Sequence, residues 1–276
     1  MVLDKKPSPI AFESQVEKIT LNSHKEEINL MVKVLNIYVE GFNSIGSFTY
    51  TEDRELEWAW LFLVTRSFYS MRCTIQLIMR GYYSQALSLL RTVTEDWLIC
   101  QDCIGNPKTI EAILHDKYRI PDKNHGLTFY KMAERTGNLL TYNNDYNHQS
   151  RFTHCSALSL GVLRDLETNE LRAAPSYNAI LFLDCCEQFF RNALRMSEVI
   201  GNLLFKLDET KATYWVEKAN QTCKEAADWL NTLREKYGKM PEISSTKEVN
   251  MGSKGRKNVK KPKKAQEKKP EAPQKK

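Results

Sequence analysis

Glycine and proline are scarce in this 276-residue chain, at 11 and 9 residues, and no stretch stays both apolar and uncharged for long. The first shortage excludes collagen-like and mucin-like chains, and 42% hydrophobic with 27% charged residues excludes a wholly disordered one. The second argues against a membrane-spanning helix. The most apolar stretch, residues 56–79, is interrupted by Arg66 and Arg72, and no uncharged piece of it approaches the roughly 20 residues a bilayer requires. The opening MVLDKKPSPIAFES holds no apolar run of signal-peptide length, so a cytoplasmic location is expected. The cysteines (Cys73, Cys100, Cys103, Cys155, Cys185, Cys186, Cys223) are odd in number and several sit in apolar patterns. That favours reduced, buried thiols over a disulfide framework. Cys100-Gln-Asp-Cys103 has zinc-ligand spacing, but no second CxxC exists, and His115 and His125 fit no common zinc module; no metal and no cofactor is expected. There is no Gly-rich phosphate loop, no GxSxG elbow and no HExxH. Strand alternation is also missing, which leaves helix.

Helical periodicity is what the sequence does contain. Ser23 and Glu26 have capping-box spacing, and Ile28, Met31, Val32, Leu35, Val39 and Phe42 recur at three- and four-residue steps, predicting a helix of about five turns. A second helix starts near Thr51 to Asp53 and stops at Gly81. A third carries Leu87, Leu90, Val93, Trp97 and Leu98 up to Gly105-Asn106-Pro107. A connection this short predicts antiparallel packing of the second and third. Shorter helices follow at 109–118 and before Gly137, separated by the polar loop RIPDKNHG. Helical spacing returns over 139–160, and 161–175 reads as a loop or small hairpin. A helix from Pro175 to about Leu207 is apolar on most sides and is predicted to be central. Asp208 is a plausible cap for a last helix ending near Gly238. The expected fold is all-α: a single multi-helix up-and-down bundle over 23–238, a lead-in at 1–22 and a disordered Lys-rich tail at 239–276.

Two polar features interrupt the apolar pattern. Arg91 and Glu95, four residues apart on the third helix, are predicted to pair and fix how helices dock. Tyr142, Tyr146, Ser150 and His154 fall on one helical line. Facing inward, that line would meet Arg91 and Glu95, with Glu95 orienting His154. The cluster is read as a core network, with an acid/base pair as its catalytic alternative.

The run RGYYSQALSLLRTVTEDW, with Tyr146, Ser150 and His154 some fifty residues on, resembles an uncharacterised all-helical bacterial family. Its members share an R-G-[YF]-x-x-[QE]-A-x-x-L-x-R-x-x-x-E helix and a later Y-x-x-x-S-x-x-x-H helix. Arg80, Gly81, Tyr82, Gln85, Ala86, Leu89, Arg91 and Glu95 supply the first pattern. The resemblance implies a helical bundle similar in style to the HEPN group, many of whose members act in bacterial defence and toxin systems, some as RNases. The HEPN ribonuclease motif, Arg followed by four to six residues and then His, matches only Arg119 to His125, where Ile120 and Pro121 depart from the pattern.

Residues 252–276 hold 11 Lys/Arg against Glu267 and Glu271, a net of +9. With a whole-chain charge of +6, the remaining 251 residues carry −3. Lys254, Arg256, Lys257, Lys260, Lys261, Lys263 and Lys264 are thus candidate polyanion-binding residues, unspecific because no aromatic interleaves them. Three functions remain in view. One is a non-enzymatic helical interaction protein, dimeric, in bacterial defence or stress; another is a HEPN-like metal-independent RNase; the third is an RNA- or anionic-surface-associating protein acting through its tail. Because the tail has almost nothing apolar to bury, deletion of 252–276 is expected to leave the thermal midpoint unchanged. A loss of many degrees in differential scanning calorimetry would contradict this.

Overall fold

A computed structural model describes residues 9–153 and 175–237, which lie within one compact unit spanning Met1–Ile243. His154, Cys155, the expected hairpin at 161–175 save for Pro175, and the tail cations Lys254, Arg256, Lys257, Lys260, Lys261, Lys263 and Lys264 lie outside the described residues. The fold is all-α. In chain order the helices are α1 (Pro9–Ser23), α2 (Lys25–Ile45), α3 (Glu55–Met79), α4 (Tyr83–Cys103), α5 (Pro107–Leu114), α6 (Phe129–Arg135), α7 (Leu139–Thr141), α8 (Asn147–Thr153), α9 (Ala179–Leu207) and α10 (Glu209–Tyr237). A π turn, Tyr142–Tyr146, joins α7 to α8. Among the described residues no strand forms, and one isolated bridge pairs Asp122 with Leu127.

The expected lead-in is a helix. α1 packs on α2 and α3 and buries Val16 and Thr20, and Ser23 ends it instead of capping the next. The break falls at His24, whose ring stacks on Phe182 at 4.0 Å and lies 2.8 Å from the Tyr177 hydroxyl. Tertiary contact, rather than a local cap, separates α1 from α2; His24 makes no side-chain cap bond.

α3 and α4 form the antiparallel hairpin that the short connection predicts. Gly81 turns the chain at φ +80°, and a Cβ there would stand 2.8 Å from the Ser176 carbonyl oxygen. Trp60 Nε1 donates to the Cys100 carbonyl at 2.9 Å, fixing one helix along the other. α9 is the hub, packed against α2, α3, α4 and α10. Phe182, Phe189, Phe190, Met196, Ile200, Leu203 and Leu204 on it are fully buried. Each such side chain stabilises the fold by about 1.5–3 kcal/mol. Its apolarity is not all-round, however: Asp184, Glu187, Gln188 and Asn192 are also buried and form a polar edge.

Asp208 alone separates α9 from α10, and its Oδ1 accepts from the Thr210 and Lys211 amides at 3.1 Å, the cap expected there. α10 closes against α2. Trp215 Nε1 donates to the Ile37 carbonyl at 2.9 Å, and Tyr38 Oη to the Ala193 carbonyl at 2.7 Å.

Gly81 combines a left-handed backbone with no room for a side chain, so Gly81→Ala is expected to cost about 1–3 kcal/mol. Urea unfolding followed by far-UV circular dichroism measures it, and an unchanged midpoint would show that the α3/α4 turn tolerates a different path.

Candidate functional site

α4 presents polar groups to three neighbours, and each of its acids is met by an arginine from the same or another element. Arg91 and Glu95 pair at 2.9 Å, as their spacing predicts. Arg91 Nη2 also donates to Tyr146 Oη at 3.2 Å, with its guanidinium 5.1 Å from the Tyr146 ring centre. Tyr146 in turn stacks on Tyr142 at 4.8 Å and contacts Phe129. Arg91 and Glu95 are about four-fifths buried, and burial pushes the Glu95 carboxyl above the usual range against the pull of Arg91, Arg66 and Tyr146.

One residue further on, Asp96 is fully buried. It accepts from Arg66 of α3, through both Nε and Nη2, and from Ser67 Oγ at 2.8 Å. Desolvation outweighs these bonds and pushes its carboxyl up to about 6. Asp102, at the end of α4, behaves oppositely. Burial acts to raise its carboxyl, but Arg135 (2.8 and 2.9 Å), Thr109 (2.6 Å) and Asn106 (2.9 Å) all bond its charged form and hold it below the ordinary value.

The inward side of the π turn and α8 is not the one that simple spacing suggests. Asp145, Gln149 and Phe152 are buried, whereas Ser150 spends its hydroxyl on the Tyr146 carbonyl at 2.7 Å. Asp145 accepts from Arg191 at 3.2 Å and from Arg195, both on α9, and Arg191 also binds Glu187. The Arg195 guanidinium stands 5.2 Å from the Trp97 ring. Deeper in, Thr94 Oγ1 is 2.9 Å from both Gln149 Oε1 and Asn192 Oδ1, and Gln149 Nε2 donates to Gln188 Oε1 at 2.9 Å. His148 lies 2.9 Å from Asp184; burial works against its imidazolium, yet Asp184 leaves its pKa raised.

Of the sequence candidates, Arg91, Glu95 and Tyr146 therefore meet, Ser150 does not join them, and His154 lies outside the described residues. Asp96, Asp145, Arg191 and Arg195 were missed. Their one legible signal was the four-residue spacing of Glu187, Arg191 and Arg195. Arg91 Nε and Trp97 Nε1 are buried with no hydrogen-bond acceptor among the described residues. Two surface depressions lie elsewhere: a shallow one of about 190 Å³ between α2 and α10, lined by Glu40, Asn43, Ser44, Tyr214, Trp215 and Lys218, and a wider one along Glu209–Glu217.

Arg119 and His125 stand apart from this network, on the loop between α5 and α6 and not on a helix. Both are exposed. His125 Nδ1 is 2.9 Å from Asp122 Oδ2, and its ring lies 4.7 Å from Tyr118. Arg135 ties the loop to Asp102 and to the Gly126 carbonyl. Cys100 and Cys103 are buried, with thiol pKa values raised by desolvation, so this CxxC is packing. Among the described residues no His/Cys/Asp/Glu group is arranged to hold a metal, and no helix is long and apolar enough to cross a membrane. No family model, curated protein or solved structure matches the chain.

The raised carboxyls and the raised imidazole act in one direction. A carboxyl with an elevated folded pKa binds protons more tightly when folded, so stability rises as pH falls through about 6 toward 3.8 for Asp96. The His148 contribution is complete below 6.5 and is lost as pH rises through its elevated pKa. Asp102 reverses the trend only below about 4. Thermal midpoints are therefore expected to be higher near pH 5 than at pH 8, with Asp96 supplying roughly 1–2 kcal/mol of the difference and its full contribution of about 3 kcal/mol only below pH 3.8. Asp96→Asn should flatten the rise below pH 6. A midpoint that falls steadily from pH 8 to pH 5 would refute the assignment.

Proposed function

We propose that the chain is a non-enzymatic helical interaction protein, acting in a bacterial defence or stress setting as its resemblance to the HEPN-style family implies. The observation that supports it is the use to which the charged interior is put. Glu95, Asp96, Asp102 and Asp145 are each held by arginines, three of them from a different helix or turn. A general base must come within about 2.6–3.2 Å of the proton it removes. Glu95 instead faces Arg91 and Tyr146.

A metal-independent RNase is the second reading, and one observation favours it. His125 is oriented through Nδ1 by Asp122, its ring is nearly half exposed, and Arg119 is exposed on the same loop. The reading through the basic tail rests on the sequence alone.

Incubation of the purified protein with tRNA and with total RNA, with and without EDTA, separates these. RNA is expected to remain intact with both wild type and His125→Ala. Cleavage that persists in EDTA and disappears in His125→Ala would replace the interaction reading with the nuclease one. Arg91→Met, which removes the partner of the Glu95 carboxylate, is expected to lower stability by about 1–3 kcal/mol. Unchanged stability would remove the architectural role assigned to the pair.

A further inference from the structure

The outward face of α3 is unlike the other exposed helix faces. Phe62, Arg66, Tyr69, Cys73 and Gln76 follow one another at four- and three-residue steps, all exposed, with Arg72 beside them. Phe62 is 52% and Tyr69 58% exposed. From Trp58 to Arg80 the helix has no lysine and no carboxylate. The exposed side of α10, by contrast, alternates Glu217, Lys218, Lys224, Asp228, Glu235 and Lys236. Aromatic residues and arginine with lysine and acids depleted is the composition of an interface centre, not of a solvated face.

The stripe is also held rigid from beneath. Arg66 is fixed by the buried Asp96, which Ser67 also binds, and its guanidinium lies 6.0 Å from the Phe62 ring centre. Tyr69 stands edge-on to Phe68 at 5.5 Å, and Phe68 edge-on to Phe42 at 5.6 Å. Groups fixed before an encounter lose less entropy in it. Arg72 makes no ion pair among the described residues, so the face has a cation to offer.

We infer that this face of α3 docks an acidic amphipathic helix of a partner protein, with apolar side chains seated on Phe62 and Tyr69 and a carboxylate on Arg72. The inference rests on the interaction reading above and adds the chemistry of the partner. A helix fits because the stripe is a straight convex ridge, which ridge-into-groove packing accommodates. Single-stranded RNA fits less well, since it calls for a positively charged groove and Arg66 is already neutralised. A second copy fits less well too. An antiparallel pairing centred on Tyr69 sets Arg66 against the second copy's Arg72 with no acid on either stripe.

Cys73 is a reporter on the face itself. The full chain is mixed with a helical peptide carrying Leu at i, i+3, i+4 and i+7 and Glu elsewhere, or with the same peptide carrying Lys for Glu. Binding is read by fluorescence anisotropy and by the rate of Cys73 alkylation in peptide-mapping mass spectrometry. The Glu peptide should bind at least tenfold more tightly than the Lys peptide and slow Cys73 alkylation. Tyr69→Ser should weaken it tenfold or more, and Arg72→Glu should invert the preference. Both substitutions are on exposed side chains, so folding is preserved and circular dichroism checks it. Equal binding of the two peptides, or binding indifferent to Tyr69→Ser, would overturn the proposal. So would a concentration-dependent dimer, or RNA binding, that Tyr69→Ser abolishes. RNA cleavage in the tRNA and total-RNA incubation would defeat the interaction reading whatever the peptides do, whereas intact RNA with failed peptide binding would defeat this inference alone.

Discussion

A carboxylate taken out of water must be met by a cation or give up its charge, and the interior of this bundle is arranged around that requirement. Asp96, Asp102 and Asp145 are essentially without solvent contact, and their partners come from α3, α6 and α9 respectively. Leucine faces alone permit helices to slide or rotate by a turn. A buried aspartate answered by one arginine does not, because any other register leaves an uncompensated charge costing several kcal/mol. Apolar replacement of both partners in such a pair is often nearly neutral. What the pairs contribute is therefore selection of one docking arrangement among several of similar apolar burial.

The same constraint separates what could be read from the sequence from what could not. The α3/α4 hairpin, the stop at Gly81, the cap at Asp208 and the central position of α9 are local statements, fixed by residues within a few positions of each other. The Arg91–Glu95 pair is local for the same reason. Asp96 to Arg66 and Asp145 to Arg191 and Arg195 join residues 30 and about 50 positions apart. Nothing in a periodicity reveals such a pairing. The inward face of α8 was hidden because Asp145, Gln149 and Phe152 keep helical steps of four and three beside the Tyr142, Tyr146 and Ser150 line, and spacing alone does not tell which of two neighbouring lines faces in. α1 was missed because its apolar face is narrow, with Val16 its buried hydrophobic residue.

α3 connects the charged interior to the outer surface. Its inner side supplies Trp60, Leu63, Val64, Met71 and Ile75 to the core, while its outer side carries aromatic rings braced by a carboxylate that burial makes costly to ionise. That expense falls on the folded state and positions a guanidinium at the surface. Arrangements of this sort, unfavourable in isolation and held by their surroundings, are expected where a surface has work beyond folding.

The bonds that close α2 onto the bundle are the most distant in sequence: Tyr38 reaches across 155 residues to Ala193, Ile37 across 178 to Trp215 and Lys33 across 192 to Glu225. Hairpins such as α3/α4 and α9/α10 form by short-range closure, whereas these contacts wait for the largest loop in the chain. On a ribosome, α2 emerges well over a hundred residues ahead of α9. Through that interval Ile28, Met31, Val34, Leu35 and Tyr38 have only α1 and α3 to lie against. Synthesis thus leaves an apolar stripe waiting for its cover, and the pace of translation past residue 215 sets how long it waits.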